Sequence, residues 1–188
     1  MKKLLKKSIK KYQGTQDLLY GIQKLSNEIR VKSKKAITLL RRDNIKESQK
    51  AIKEAEDLFK IINKLTKKNK DLLNQHFYKE ATEEYVEALV YYNFLRTTKL
   101  KIPDFIEIKP EEIISGICDF TGELLRKAIT IAEKKKLEQL NLYKRTMEDT
   151  IEQLTKVGFR GKLRQKYDEV ERNSKKIEKI LYEIKLKD

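Results

Sequence analysis

The apolar residues of the first quarter of the chain repeat with the period of an α-helix. Between residues 17 and 42 they follow spacings of three, four and seven, and they are Leu18, Leu19, Ile22, Leu25, Ile29, Ala36, Ile37 and Leu40. This spacing places them on one face of an amphipathic helix. After the polar stretch "RRDN" the pattern resumes as far as Leu65, which predicts a second helix antiparallel to the first.

The rest of the chain continues in helical periods. We predict a third helix over residues 71–96, a fourth over 110–132, and two more over 137–156 and 162–186. Pro110 precedes two glutamates, a common arrangement at a helix N-terminus. The pattern therefore predicts an all-α fold, a bundle of long antiparallel helices in a single domain over 1–188, with 1–14 as a basic N-terminal extension. Some apolar stripes are too broad for a monomer, which favours a higher oligomer.

Charge is distributed unevenly along the chain. The formal net charge is +15, and residues 1–50 alone hold 15 Lys or Arg against four Asp or Glu. This regional excess favours a polyanionic partner such as nucleic acid, although a lysine-rich composition would also raise the charge. The first residues could extend the helix, contact phosphates as an arm, or lie on an anionic membrane.

The cysteine count and the hydropathy pattern narrow the class of protein. Cys118 is the only cysteine, so one chain can form neither an internal disulfide nor a thiolate metal site, and a reducing, cytoplasmic compartment is expected. No stretch approaches the roughly 18 apolar residues of a membrane span, so we expect no membrane partner.

Acidic residues line one flank of the predicted third helix. Its apolar stripe consists of Phe77, Ala81, Tyr85, Ala88, Tyr92 and Leu95. Glu84 lies at the edge of this stripe, Glu80 and Glu87 lie further round on the same flank, and Glu83 points away. The fourth helix repeats the arrangement, with Asp119 and Glu123 one turn apart at the margin of its own stripe. Gly116 on that margin would leave room for a ligand.

Carboxylates one turn apart repel each other, and more strongly when they are partly buried. Lysine or arginine side chains from a neighbouring helix could offset this cost. A hard cation could also offset it, because Mg²⁺ prefers a few carboxylate oxygens and waters. Spacing alone leaves both explanations open.

Carboxylate-bound metal beside a basic surface is typical of phosphodiester hydrolysis. Other catalytic classes have fewer of their parts here. The single histidine, His76, has no nucleophile that pairs with it in the sequence, and glycine-rich phosphate loops are absent. Acid and base carboxylates of the glycosidase kind remain an alternative.

Four segments together resemble the translin and translin-associated factor X (TRAX) family. In order they are "GIQKLSNEIRVKSKKAITLLRR", "EEYVEALVYYNFLRTTKL", "GICDFTGELLRKAI" and "LRQKYDEVERNSKKIEKILYEIKLKD", from about Gly21 to the C-terminus. The resemblance implies an all-α fold of about seven helices, so that six to seven are expected in all. It also implies higher oligomers that bind single-stranded RNA or DNA.

The motifs "EYVEA" and "DFTGEL" resemble those of TRAX-like members of the family. The resemblance implies acidic residues for Mg²⁺-dependent RNA cleavage. The resemblance implies that Glu84, Glu87, Asp119 and Glu123 bind Mg²⁺, or Mn²⁺ in its place, and are catalytic. It also implies self-association, for instance as an octamer, and a possible translin-like partner subunit. Glu80 is not part of the family pattern.

Two groups of basic residues are candidates for nucleic-acid contact. Arg30, Lys34 and Arg41 recur on the first helix away from its apolar stripe, together with Lys24. A second cluster contains Arg160, Lys162, Arg164 and Lys166, beside Phe159, whose ring could stack on a base. Either group could also be an ordinary solvated face. No duplex-recognition element is evident, which favours single-stranded RNA.

These features lead to one main hypothesis and two alternatives. The main hypothesis is a Mg²⁺-dependent endoribonuclease that also binds single-stranded RNA or DNA. The first alternative is a non-catalytic, translin-like nucleic-acid-binding oligomer whose carboxylates pair with lysines. The second is a helical adaptor without nucleic-acid binding.

Overall fold

The computed structural model describes residues 1–186, and within that range its regular elements are all helices, as the sequence predicts. It contains a short 3-10 helix, Lys70–Asn74, and six long helices, which are α1 (Lys2–Arg41), α2 (Ile45–Thr66), α3 (His76–Arg96), α4 (Pro110–Ala132), α5 (Leu137–Thr155) and α6 (Gly161–Lys185). None of these helices is long and apolar enough to cross a membrane.

Helix α1 begins at Lys2, well before the predicted start at residue 17. The lysines and leucines of the first turns are good helix formers, and the single Gly14 costs only about 1 kcal/mol. No residue before Ile22 is buried, so this half of α1 projects from the bundle. The basic extension is therefore a helical one.

The third predicted helix is divided in the structure. Residues 70–74 form the 3-10 helix, and Gln75 is extended before α3 begins at His76. The side chain of Asn69 accepts a hydrogen bond from the Asp71 amide at 3.1 Å and caps the short helix. Asn44 caps α2 in the same way, through the Glu47 amide.

The segment 97–109 returns along the whole length of α3. Its end lies beside the start of α3, since Lys109 Nζ donates to Asn74 Oδ1 at 2.7 Å and Tyr78 Oη donates to the Glu107 carbonyl at 3.0 Å. Thirteen extended residues span roughly 43 Å, enough to pass a 21-residue helix of about 32 Å. Helices α3 and α4 therefore run in the same direction, which differs from the antiparallel pairing that the sequence predicts.

Helix α3 lies at the centre of the bundle and packs against α1, α2 and α4. Its buried residues accordingly surround the helix instead of forming one stripe, with Tyr85 facing Phe59 of α2 at a ring distance of 5.2 Å. Tyr91 faces Phe120 of α4 at 5.7 Å. Burial on several sides explains why residues outside the predicted stripe are also buried.

Gly116 brings α4 close to the backbone of α3. A Cβ atom at this position would lie 2.7 Å from the carbonyl oxygen of Glu83 and 2.8 Å from Val86 Cβ. The missing side chain therefore serves helix contact, and the sequence-based expectation that it leaves room for a ligand is wrong.

We expect Gly116→Ala to lower the free energy of unfolding by about 1–3 kcal/mol, because the new methyl group would force the two helices apart. Urea titration followed by circular dichroism measures this change.

Gly21→Ala is the matched control. Gly21 lies within α1, and a Cβ atom there would meet nothing within 4 Å. Alanine should therefore stabilise the helix by about 0.5–1 kcal/mol. Equal effects at the two positions would contradict the close contact at Gly116.

Candidate functional site

The carboxylates of α3 differ in burial. Glu87 is 8% exposed, and the Glu84 side chain is 21% exposed. The helical pattern placed Glu84 nearer the buried stripe, but the contact of α3 with α4 as well as with α1 buries Glu87 more deeply.

The carboxylates of α4 face the same region. Asp119 and Glu123 lie one turn apart, and Glu123 is only 5% exposed. Together with Glu84 and Glu87 they line one cavity of about 380 Å³. The sequence-predicted set of four acidic residues is thus brought together by the fold.

We call this space the acidic cavity. Its walls come from four helices of one chain, and its lining residues are Lys34, Ile37, Thr38, Arg41, Glu84, Glu87, Asp119, Gly122, Glu123, Arg126 and Glu169. Five carboxylates thus face three basic side chains. The lining has a formal excess of negative charge.

The basic residues of α1 face α3 in matching steps. Arg30 Nη1 lies 2.9 Å from Glu80 Oε2, and Lys34 Nζ lies 3.8 Å from Glu84 Oε2. A step of four residues forward along α1 matches a step of four residues forward along α3. The two helices therefore run in the same direction. These two predicted phosphate ligands already pair with α3 carboxylates, which gives Glu80 a structural role.

Arg41 is turned into the acidic cavity. Its guanidinium binds Glu123 with two hydrogen bonds, one from Nε to Oε2 and one from Nη2 to Oε1 at 3.0 Å. The helical spacing of the sequence predicts that Arg41 belongs to an outward-facing basic ridge. The structure shows instead that it neutralises one of the predicted metal ligands.

The second basic cluster, at the start of α6, is also largely paired with acids. Lys162 Nζ lies 2.6 Å from Glu83 Oε2, and Arg164 Nη2 lies 2.8 Å from Asp168 Oδ1. Lys166 donates to Asp119 inside the bundle.

One basic residue of that cluster has no acidic partner in the described part of the chain. The side chain of Arg160 is exposed and has no hydrogen bond or ion pair within residues 1–186. Phe159, the predicted stacking ring, is half-buried and lies 6.5 Å from the ring of Tyr167.

Glu87 differs from the other three carboxylates because it has no hydrogen bond or ion pair with any residue in 1–186. Burial is the largest cause that raises its pKa to about 8. The charges of neighbouring carboxylates raise it further, those of Asp119, Glu84 and Glu123, against a lowering by Lys166. At neutral pH this carboxyl is therefore mostly protonated.

Burial in the acidic cavity also raises the pKa of two other carboxyl groups. Burial raises the pKa of Glu84, while Lys34 and Arg30 lower it in part. Burial also raises the pKa of Asp119, against the hydrogen bond from Lys166. The cavity thus holds carboxyl groups whose ionised forms are under-compensated.

The donor set suits a hard divalent cation, since Mg²⁺ prefers carboxylate oxygens and water. Within residues 1–186, however, no three His, Cys, Asp or Glu side chains are arranged so that they could hold a metal ion as they stand. Lys166 and Arg41 hold the carboxylates of Asp119 and Glu123. A cation could be bound only if one or more carboxylates turned toward it.

Two charged residues of the acidic cavity, Arg126 and Glu169, are not among the residues predicted from the sequence. Arg126 lies three residues after Glu123, a spacing that places both on one helix face and could have found it. Glu169 had no such signal, because the packing of α6 against α4 decides which face of α6 is turned inward. His76 is exposed at the start of α3, and Cys118 is buried.

The comparison with known families is decisive. The sequence model of the Translin family matches residues 20–188. The chain belongs to the Translin family. The match begins one residue before the segment in which the sequence motifs resemble this family, and the matched range contains all four carboxylates of the candidate site.

A relative in the Translin family supports the TRAX-like type. A Translin-associated protein X homolog from Schizosaccharomyces pombe is 31% identical over 192 aligned residues. The alignment covers 90% of this chain and 82% of the relative.

Solved structures agree with the Translin family fold. A complex of AfC3PO with duplex RNA has a TM-score of 0.86 and 21% identity, covering 97% of this chain and 96% of that chain. Apo-NeC3PO has a TM-score of 0.84 and 23% identity, covering 96% of each chain. At these identities the likeness concerns the fold.

The raised pKa of Glu87 makes stability depend on pH. The unfolded chain ionises this carboxyl near its ordinary value of 4.5, whereas the folded chain keeps it protonated up to about pH 8. The contribution of the protonated Glu87 carboxyl to folding stability is complete below pH 4.5 and is lost as the pH rises toward about 8. Relative to Glu87→Gln, the wild type should lose several kcal/mol of unfolding free energy across this window, at about 1.4 kcal/mol per unit.

Urea titrations in EDTA at several pH values measure this difference. Glu80→Gln is the matched control, because Glu80 lies on the same helix but pairs with Arg30 outside the acidic cavity. Its curve should remain parallel to that of the wild type. A parallel curve for Glu87→Gln would show that Glu87 is not buried in its neutral form.

Proposed function

We propose that the protein is a Mg²⁺-dependent endoribonuclease that also binds single-stranded RNA or DNA. Glu84, Glu87, Asp119 and Glu123 would hold Mg²⁺, or Mn²⁺ in its place, and would be the catalytic residues. The observation that carries this proposal is the buried Glu87, which has no partner within residues 1–186 and lies among three further carboxylates. Such a group indicates that the positive charge in the acidic cavity does not compensate all of its carboxyl groups.

A divalent cation bound there supplies what phosphodiester hydrolysis needs, which is charge neutralisation at the phosphate and acidification of water. The carboxylates of α3 and α4 would orient it, because they approach the acidic cavity from two adjoining helices. Glu87 would lose its proton in the process. The depth of Glu87 and Glu123 would keep the cation away from bulk solvent.

Basic residues would attract the nucleic acid to this region. Lys34 and Arg126 are mainly exposed although they line the acidic cavity, and Arg160 is free to contact phosphate. Arg30, Lys162 and Arg164 would contribute positive charge beside their own carboxylates. Phosphate contacts of this kind give affinity without sequence preference.

The form of the nucleic acid is open to direct test. The sequence favours a single strand, whereas AfC3PO has been solved in a complex with duplex RNA. Binding assays should therefore include both forms.

Self-association also belongs to this proposal. Large apolar side chains on the projecting half of α1 are exposed, among them Leu4, Leu5 and Tyr12. A second copy in an octamer-like assembly, or a translin-like partner subunit, would cover them.

The first alternative, a non-catalytic nucleic-acid-binding oligomer, also has an observation in its favour. Three of the four carboxylates have a basic partner, since Glu84 lies near Lys34, Asp119 pairs with Lys166 and Glu123 pairs with Arg41. Such pairs stabilise the packing of α1, α3, α4 and α6 without any chemistry.

Cleavage of labelled RNA in the presence of Mg²⁺ decides between the two. We expect Glu87→Gln to reduce the cleavage rate by about 100-fold or more, since it removes a carboxylate ligand but preserves side-chain shape. RNA binding in EDTA should persist, because the substitution removes no positive charge.

Glu80→Gln is again the control and should cleave like the wild type. A variant with alanine at all four positions sets the background. If the intact wild-type assembly cleaves no faster than this variant but still binds RNA, the nuclease proposal fails and the non-catalytic alternative stands.

RNA affinity should fall steeply with salt, and Arg160→Ala should reduce the log–log salt slope by about one. The reason is that Arg160 is exposed and has no acidic partner within residues 1–186. Fluorescence anisotropy across a salt series measures both quantities. An unchanged slope would place Arg160 outside the nucleic-acid contact. Failure of the protein to bind RNA with a steep salt dependence would favour an adaptor role.

A further inference from the structure

Two arginines from different helices meet at Glu123. Arg41 comes from the last turn of α1, and Arg126 lies one turn beyond Glu123 on α4. One carboxylate can neutralise only one of these two cations. The charge of the other is therefore available.

The contacts show which arginine is bound firmly. Arg41 donates two hydrogen bonds to the two oxygens of Glu123, in the bidentate geometry that makes Arg–carboxylate pairs strong. The Arg126 Nε atom lies 3.6 Å from Glu123 Oε1, which is beyond hydrogen-bond distance. Arg126 has no other ion pair or hydrogen bond from its side chain within residues 1–186.

Exposure separates the two residues further. The Arg126 side chain is 64% exposed, whereas that of Glu123 is 7% exposed. Arg126 nevertheless lines the acidic cavity. Its guanidinium thus lies at the mouth, and the carboxylate that it approaches lies at the floor.

The charge of the acidic cavity creates a need for such a group. A phosphodiester that approaches the ionised carboxylates of this cavity is repelled unless cationic groups lie at the entrance. A guanidinium presents a planar set of N–H donors that fits phosphate oxygens, and Arg126 has these donors unused. Lysine at the same place could provide charge but not this paired geometry.

We propose that Arg126 binds a phosphate of the nucleic acid at the mouth of the acidic cavity, while Arg41 is a positioning residue that fixes Glu123. The inference rests on the proposed function in that the ligand of Arg126 is a nucleic acid and that the carboxylate fixed by Arg41 belongs to the proposed cation site. It does not require that the nucleic acid be cleaved.

Binding in EDTA tests the role of Arg126 apart from catalysis. The probe is a short fluorescein-labelled single-stranded RNA, with a duplex of the same strand in a second arm. The proteins are the wild type, Arg126→Ala, Arg126→Lys and the control Arg145→Ala. Arg145 is an exposed arginine of α5, and its Nε donates to the Asn141 carbonyl. Helix α5 contributes no residue to the lining of the acidic cavity.

We expect Arg126→Ala to weaken binding by about 10- to 100-fold and to reduce the salt slope by about one. Arg126→Lys should recover the slope but only part of the affinity. Arg145→Ala should stay within about twofold of the wild type. Circular dichroism checks that each variant retains its helices.

Mn²⁺ titration of the RNA-free proteins tests the role of Arg41. Arg41→Ala should bind Mn²⁺ several-fold more tightly, because a competitor for both oxygens of Glu123 is gone. Arg126→Ala should change Mn²⁺ affinity less. Equal or reversed effects would overturn the assignment of Arg41.

The outcomes separate this inference from the nuclease proposal. Arg126→Ala that binds like Arg145→Ala overturns the inference and leaves the nuclease proposal intact. Weakened binding by Arg126→Ala in a protein that cannot cleave RNA supports the inference while the nuclease proposal fails. A wild type that binds no RNA overturns both.

Discussion

Helices α3 and α4 lie side by side, with Gly116 of α4 against the backbone of Glu83. This contact leaves no space for a side chain between the helices, so the carboxylates of the next turn must share a narrow gap. Asp119 and Glu87 both lie one turn beyond the contact, and the charge of Asp119 helps to raise the pKa of Glu87. The acidic cavity, its pKa shifts and its need for cations all follow from this close approach.

The surrounding helices provide basic side chains that pair with the acids gathered at this contact. Arg41 from α1 binds Glu123, and Lys166 from α6 binds Asp119, so charge pairing joins the outer helices to the central pair. Glu87 is the residue that these partners do not satisfy. A polar group left under-compensated in the interior costs stability, and such sites are enriched at functional positions. The same arrangement thus anchors the packing of the helices and is the basis of the proposed cation site.

The sequence was sufficient for the helices and for the four acids, but not for helix direction. Glu87 lies nine residues before Arg96, and Asp119 lies nine residues after Pro110. Glu87 and Asp119 each lie near the middle of their helix, and the two helices have similar lengths. An antiparallel or a parallel pairing of α3 and α4 would therefore bring these two acids to about the same level. The direction depends on the return of segment 97–109, which is held by contacts such as that of Tyr78 with Glu107. The partners of Arg41 and Lys166 depend on the same tertiary packing, and local periodicity carries no signal for it.

All the residues that line the acidic cavity belong to one chain. Each copy of this chain in an assembly would therefore bring its own complete set of acids and arginines, and the number of such centres would equal the number of these copies. If two centres acted on one bound strand, the distance between them would set the length of the fragment released. Fragment size would then report the architecture of the assembly and not any preference for base sequence.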